Sequence, residues 1–444
     1  METEDARGRT VRTTTEAKEK FTNDDLTWMS TSTMTMMSMV TLAGIALGAS
    51  ATRAMCDEAR DEATKAEAEA TPTSNKSTAQ WRIYTDIGRG LVRENKLDEA
   101  RKYLERALLE AKKGFGERDA HVAGALNNLA ELNRIESKWN ESEMLFAQAL
   151  EILRAVYGEE HAAIGTALHN LAGCRLEQGD VDGAFALYAK SLDRKEATLG
   201  TNHPEYATTL YHMGEVLARS NRKQDAVVLI ERSIKVSEEI GAAHTEACLR
   251  RLKRLAQLLW ECDNYEHAER IRRRILTTME DMSGTNDVKI AGPCESLAVV
   301  LMKLGKLDEA SALLERSALI LSKVRGDSGA LALASVRLHL ADIALRRENT
   351  AEGLKMLRKA LDVLAPSALD AVRRDILRIE VRVGVIAQYA QAVALLRKIT
   401  PDSSSTSRHI SDARQNLDEI EKLAKDGSAH LVETIRAARS SLRD

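Results

Sequence analysis

Ten histidines and five cysteines are the residues of this 444-residue sequence with the most chemistry in them. Imidazoles and thiolates bind metals and act as bases or nucleophiles, but only when spacing brings them to one point. His121, His161, His203 and His244 follow one another at intervals of 40, 42 and 41 residues. As opening residues of successive stacked helices they would stand about 8–10 Å apart. Zinc holds its ligands at about 2 Å, so these four read as helix-entry residues, and no metal or cofactor is expected. Cys56, Cys174, Cys248, Cys262 and Cys294 form no CxxC pair. Cys248 and Cys262 lie 14 residues apart in one predicted helix, roughly 21 Å at helical rise and too far for a disulfide. Cys294, in "GPCES", stands where Leu126 and Leu168 stand elsewhere, and reads as core. There is no glycine-rich phosphate loop, no HExxH and no GxSxG. The chain reads as non-enzymatic.

The remaining chemistry is cationic. "RRLKR" (Arg250 to Arg254) and "RIRRR" (Arg270 to Arg274) put eight cations on two neighbouring segments. Guanidinium groups pair bidentately with carboxylates, so an acidic or mixed peptide segment is the expected guest. The whole chain carries a formal charge of -3, and no aromatics interleave with these cations. Both facts argue against nucleic acid.

Helices must position these residues. Phe, Trp and Pro are scarce, while Ala, Leu, Glu, Lys and Arg dominate, a composition that suits helix over sheet. "ALNNLAELNRIESKWNESEMLFAQALEILRAVYGEEH" (125–161) and "ALHNLAGCRLEQGDVDGAFALYAKSLDRKEATLGTNH" (167–203) superpose after a shift of 42 residues. A small residue recurs at Gly88, Ala130, Ala172, Gly214, Ala256, Ala298 and Ala341. A second recurs at Ala100, Ser142, Ala184, Ala226, Ala268, Ala310 and Gly353, and a glycine at 116, 158, 200, 284 and 326, with Gly241 one place early. Apolar residues between the markers keep helical spacing, as in Leu126, Leu129, Ala130 and Leu132. Polar breaks such as "ESKWNE" and "EQGDVD" split each unit into two helices, and the glycine stops the second. Small residues at the first two markers let the paired helices approach. One pair cannot bury its stripe alone, whereas stacked pairs bury a continuous core.

This pattern resembles the tetratricopeptide repeat. "LGTNHPEYATTLYHMGEVL" (199–217), "LNNLA" and "KLDEA" look like the 42-residue repeat of kinesin light chains. The resemblance implies an all-α superhelix, a TPR solenoid of seven to eight helix pairs. It also implies a concave surface lined by first helices. Two residues before the first marker lie Asp86, Asn128, Asn170, His212, Arg254, Ser296 and His339; one turn earlier lie Gly124, Thr166, Thr208 and Arg250. In proteins this one resembles, the equivalent asparagines bond the backbone of an extended peptide, since an amide offers donor and acceptor. The expected peptide-binding groove is therefore Asn128, Thr166, Asn170, Thr208, His212, Arg250 and Arg254.

Upstream, residues 26–52 contain no charge and would span roughly 40 Å as a helix. Five basic and seven acidic residues precede them, "ASA" at 49–51 has the small residues of a cleavage site, and an acidic run follows. Two readings stand. One is a mitochondrial or other organellar presequence or membrane anchor, a transmembrane helix in the anchor form; the other is a disordered leader on a cytoplasmic protein. After Pro366 the phase is lost, though "ALDAVRRDILRIEVRVGVIAQYAQAVALLRKI" still reads as a helix pair. The expected organisation is a leader (1–25), a hydrophobic segment (26–54), an acidic linker (55–78), seven repeats (79–365), a degenerate eighth pair (366–400) and capping helices (401–444). The predicted function is a protein–protein interaction scaffold. Its alternatives are a membrane-tethered organellar assembly or quality-control factor, and the regulatory arm of a larger enzyme complex.

Overall fold

A computed structural model describes residues 72–364, 379–400, 403–423 and 429–442. The leader and the hydrophobic segment 26–54 lie outside the described residues, as does the first half of the expected eighth pair. Among the described residues there are seventeen α-helices and no strand. The chain divides into two compact units. Of the described residues, the larger unit holds 72–320 and 336–356, and the smaller holds 321–335 and the rest from 357 onward.

Seven helix pairs come first. They are α1 (Pro72–Arg93) with α2 (Leu97–Phe115), α3 (Ala120–Ile135) with α4 (Trp139–Tyr157), and α5 (Ala162–Glu177) with α6 (Val181–Leu199). Next are α7 (Pro204–Arg219) with α8 (Lys223–Glu239) and α9 (Glu246–Glu261) with α10 (Tyr265–Ser283). The last are α11 (Ala291–Lys303) with α12 (Leu307–Leu321) and α13 (Asp327–Arg346) with α14 (Thr350–Leu364). From α1 to α11 each helix packs on its neighbours in sequence, which is the solenoid the repeat predicts.

The two small-residue markers are fully or almost fully buried in every pair. A Cβ on Gly88 would come within 2.6 Å of Leu104, and one on Gly214 within 2.7 Å of Ile230. Helix stops follow the glycine marker: Gly116, Gly158, Gly200 and Gly284 cap α2, α4, α6 and α10 at φ between +79° and +93°.

Two further columns escaped the sequence reading. Asn95, Ser137, Gly179, Asn221, Asp263, Gly305 and Glu348 all have positive φ in the turn inside each pair. Beside each, the next residue's N–H reaches back five residues, as from Lys138 to the Asn133 carbonyl at 2.8 Å. This is a Schellman stop repeated seven times. The second column caps first helices: Asp119, His161, His203 and Thr245 each accept a backbone N–H with the side chain, and Asp287 does so for the 3-10 turn that leads into α11. His161 and His203 accept through Nδ1, both at 3.2 Å. His121 and His244 lie out of phase with them, so the four histidines are two caps and two neighbours of caps.

The structure moves one expected boundary. Helix α1 begins at Pro72, inside the expected linker, because proline suits a first helical turn. Its Thr78 packs close to Gly114, so the linker's last residues belong to the array. Helix α11 begins only at Ala291, after a 3-10 turn at Val288–Ile290, with Pro293 tolerated in its first turn. The first of the expected capping helices, α16 (Ser404–Leu423), starts within a serine run.

In the smaller unit α15 (Ile379–Ile399) is one continuous helix, packed on α16 and on α17 (Ala429–Ser441). Tyr389 bonds His409 at 2.9 Å, and Thr400 bonds the buried Thr406 at 2.9 Å.

Candidate functional site

The expected groove residues all sit on first helices, and most are tied to the repeat beside them. Arg89 donates to Asn128 Oδ1 at 3.3 Å. Asn170 donates to Asn127 Oδ1 at 2.7 Å. His212 stands edge-on to His169, with centroids 5.1 Å apart, and parallel to Tyr188 at 6.0 Å. Arg254 pairs with Glu215 at 2.7 Å, and His339 lies 3.5 Å from Glu295. The column forms a ladder between repeats. Asn128 Nδ2 and Asn170 Oδ1 make no hydrogen bond with described residues.

Two residues depart from the expectation. Thr166 is buried and donates to Glu205 at 2.8 Å, so it faces the junction with the next repeat rather than an open surface. Thr208 accepts from Arg251 at 3.0 Å while donating to the Pro204 carbonyl at 2.8 Å. Hydroxyls here satisfy a neighbouring repeat.

The eight cations fare similarly. Arg251 is only 6% exposed and donates to Thr208, to Ser237 and to the Ser233 carbonyl. Arg272 is 7% exposed, where other second helices carry Leu104, Phe146, Tyr188 or Ile230. It bonds the Ser296 carbonyl at 2.7 Å and lies 5.8 Å over the Trp260 ring. Burial pulls both guanidiniums down to about 10. Arg273 bridges Glu269 and Glu309, and Arg274 pairs with Glu238. Burial lowers Lys253 to about 8, against the opposing charge of Glu246. Arg250 and Arg270 alone among the eight form no hydrogen bond or ion pair with described residues. Arg250 is half-buried on a first helix; Arg270 is exposed on a second helix.

A third buried cation was also missed. Lys195 of α6 is 2% exposed and lies 3.1 Å from Thr209 and 3.2 Å from Glu205. Its counterpart one repeat on is Ser237, and the counterpart of Thr209 is Arg251. The cation therefore changes helices between adjacent junctions while the contact persists. Leu153 and Ala167 hold the same two places one junction earlier, so the expectation of an aliphatic core was reasonable there.

His169 donates to or accepts from Thr209 at 3.1 Å, and burial holds its imidazole well below the usual range. Burial likewise pulls His212 down to about 3, helped by Arg134 and Arg251. Both rings are neutral at physiological pH. Cys294 is buried, its thiol pushed up to about 11 by that burial, so it belongs to the core as expected. Among the described residues no three His, Cys, Asp or Glu side chains gather to hold a metal. None of the described helices is long and apolar enough to cross a membrane. What the first-helix face offers is amide, imidazole and guanidinium groups, suited to recognition.

A family model described as tetratricopeptide repeat matches residues 77–155, 121–197, 163–239 and 294–365, together more than half of the chain. No curated protein matches the sequence. Among solved structures, BtubC (BKLC) from P. vanneervenii is 17% identical and covers 55% of this chain and 95% of its own, with a TM-score of 0.43. A Podosopora anserina putative kinesin light chain is 19% identical, covers 45% of this chain and 94% of its own, and has a TM-score of 0.40. Aspartyl phosphate phosphatase F from Bacillus subtilis is 14% identical, covers 66% of this chain and 72% of its own, and has a TM-score of 0.44.

Proposed function

The chain belongs to the tetratricopeptide repeat family, and from that premise we propose that it is a non-enzymatic scaffold. It holds an extended, acidic or mixed segment of a partner protein against the first helices of repeats two to five. The observation that carries this reading is Arg250, a half-buried cation on a first helix with no ion pair among the described residues, beside seven cations of which most are engaged. A guest carboxylate is the group that would complete it. Asn128 Nδ2 and Asn170 Oδ1 supply a donor and an acceptor on adjacent repeats, the two polarities of a peptide backbone.

The test is capture of partners from cell extract on the full chain, compared with the Arg250→Glu chain over a salt series. A species retained by the first and lost by the second supports the reading. Equal retention on both overturns it.

A second reading concerns place. The uncharged run at 26–52 favours an array held at an organellar membrane, mitochondrial in the simplest form. A reporter fused to residues 1–78 tests this: a membrane or organellar signal supports it, and a diffuse one rejects it.

A further inference from the structure

Helices α7 and α9 carry four carboxylates, and each is already opposed by another cation. Glu205 pairs with Lys195, Glu215 with Arg254 and Glu261 with Lys223, while Glu246 acts on Lys253. The carboxylates of α8 lie against Arg222, Lys235, His267 and Arg274. Arg250 and Arg251 are left with no carboxylate among the described residues. Arg251 is buried, and the groups it bonds are uncharged: Thr208 Oγ1 at 3.0 Å, Ser237 Oγ and the Ser233 carbonyl. Although burial draws it down to about 10, it remains a cation at neutral pH. A buried cation without a counter-charge is costly. Tyr211 of α7 stands at the same junction. It is half-buried, and its hydroxyl makes no hydrogen bond with described residues. Burial and Glu215 push that phenol up, against the charges of Arg254, Arg250 and Arg251.

We infer that Arg250, Arg251 and Tyr211 form a site for a phosphoryl group carried on a side chain of the guest segment. This rests on the peptide-groove reading and narrows it to a phosphorylated guest. A carboxylate brings two oxygens and one negative charge, and would leave one of the two guanidinium charges unmatched. A phosphoryl group brings three acceptor oxygens and a charge of about −1.5 to −2 at pH 7. Arg250 pairs with two of those oxygens through its fork, and the Tyr211 hydroxyl donates to the third. The second negative charge balances Arg251 behind them. The recess favours a side chain over a lipid surface, because Arg251 is buried and Arg250 and Tyr211 are both half-buried.

The test is binding of the full chain to three degenerate peptide libraries that differ only at one fixed central residue: phosphoserine, glutamate or serine. The phosphoserine library should be retained at least about tenfold better than the glutamate library, the worth of one further charge-assisted hydrogen bond. Tyr211→Phe should remove most of that preference and leave retention of the glutamate library as it was. Arg250→Gln should abolish retention of both, with thermal unfolding of the same samples unchanged. Equal retention of the phosphoserine and glutamate libraries, lost together on Arg250→Gln, overturns the phosphoryl site and leaves the acidic groove standing. Retention indifferent to Arg250→Gln overturns both. A chain that retains none of the libraries also overturns the site; if it sediments with phosphatidate vesicles through Arg250, the cations serve a membrane surface instead.

Discussion

Ser142 Oγ donates a 2.7 Å hydrogen bond to the Ala130 carbonyl. These are the second repeat's two small-residue markers, so the sequence pattern reports the point where paired helices touch. The same contact recurs where a Cβ on Gly214 would lie 3.2 Å from the Ala226 carbonyl, or one on Gly353 3.6 Å from that of Ala341. The marker keeps size rather than hydrogen bonding, since Ala184, Ala226, Ala268 and Ala310 do without the hydroxyl.

Ala130→Leu should accordingly cost about 1–3 kcal/mol by overpacking. Ser142→Ala should cost about 1 kcal/mol or less. Urea denaturation followed by hydrogen exchange of α3 and α4 measures both. A larger loss for Ser142→Ala than for Ala130→Leu would show that the bond, not the closeness, matters.

The periodic parts of the fold were legible because packing restricts side-chain size at the markers. The positive-φ column was not, since Asn, Ser, Gly, Asp and Glu reach the same backbone conformation by different means. Nor were Lys195, Arg251 and Arg272 legible as buried: helical periodicity alone does not reveal which charged residues will find partners inside. Their partners lie across the helix junctions, 14 residues away in the Lys195–Thr209 and Arg251–Ser237 contacts. The residues of the expected groove recur on successive first helices, as their spacing required. Their engagement with neighbouring repeats, as between Arg254 and Glu215, needed the packed structure.

The cap column makes a prediction about His161 and His203. Each accepts through Nδ1 where Asp119 and Asp287 use a carboxylate. A carboxylate also complements the positive end of the helix, so His161→Asp and His203→Asp should each stabilise by about 0.5–1 kcal/mol. His161→Ala should cost about 1 kcal/mol. Hydrogen exchange of α5 and α7 tells these apart, and a loss on His161→Asp would contradict the cap.

The migrating cation predicts strong coupling. Thr209→Arg alone would bury a second cation against Lys195, and Lys195→Ser alone would leave Glu205 without its ammonium. Together they recreate the Ser237–Arg251 arrangement of the next junction. The double variant should be more stable than the sum of the single losses by about 2 kcal/mol or more. Additive losses in denaturation would mean that the two junctions are not equivalent.

His212 predicts acid sensitivity. Burial lowers its folded-state value to about 3, below the unfolded value of about 6.5. Its contribution is therefore complete above about pH 6.5 and is lost progressively as pH falls toward about 3. By about pH 5 the loss should reach about 1–2 kcal/mol. His212→Asn, the residue found at Asn128 and Asn170, should reduce the pH dependence in α7 measured between pH 7.5 and pH 5. An unchanged slope would place the sensitivity elsewhere, with His169 the next group to replace.

Arg250 and Arg254 lie one turn apart on α9 but should behave differently. Arg254 pairs with Glu215 of the preceding repeat, and both side chains are largely buried. Arg254→Glu would set two carboxylates together and should cost about 2–4 kcal/mol of stability, lowering binding by loosening α7 against α9. Arg250 has no such partner, so Arg250→Glu should change stability by less than about 0.5 kcal/mol. If a guest carboxylate pairs with Arg250 away from water, affinity should still fall by about 2–5 kcal/mol. Asn128→Ala and Asn170→Ala should each cost about 1–3 kcal/mol of binding, leaving a desolvated peptide group without its partner. Titration calorimetry against the captured partner, with unfolding measured on the same samples, separates the two effects. Affinity that survives Arg250→Glu, Asn128→Ala and Asn170→Ala together would move the binding surface off the first helices, since those changes remove the Arg250 guanidinium, Asn128 Nδ2 and Asn170 Oδ1, the groups that define it.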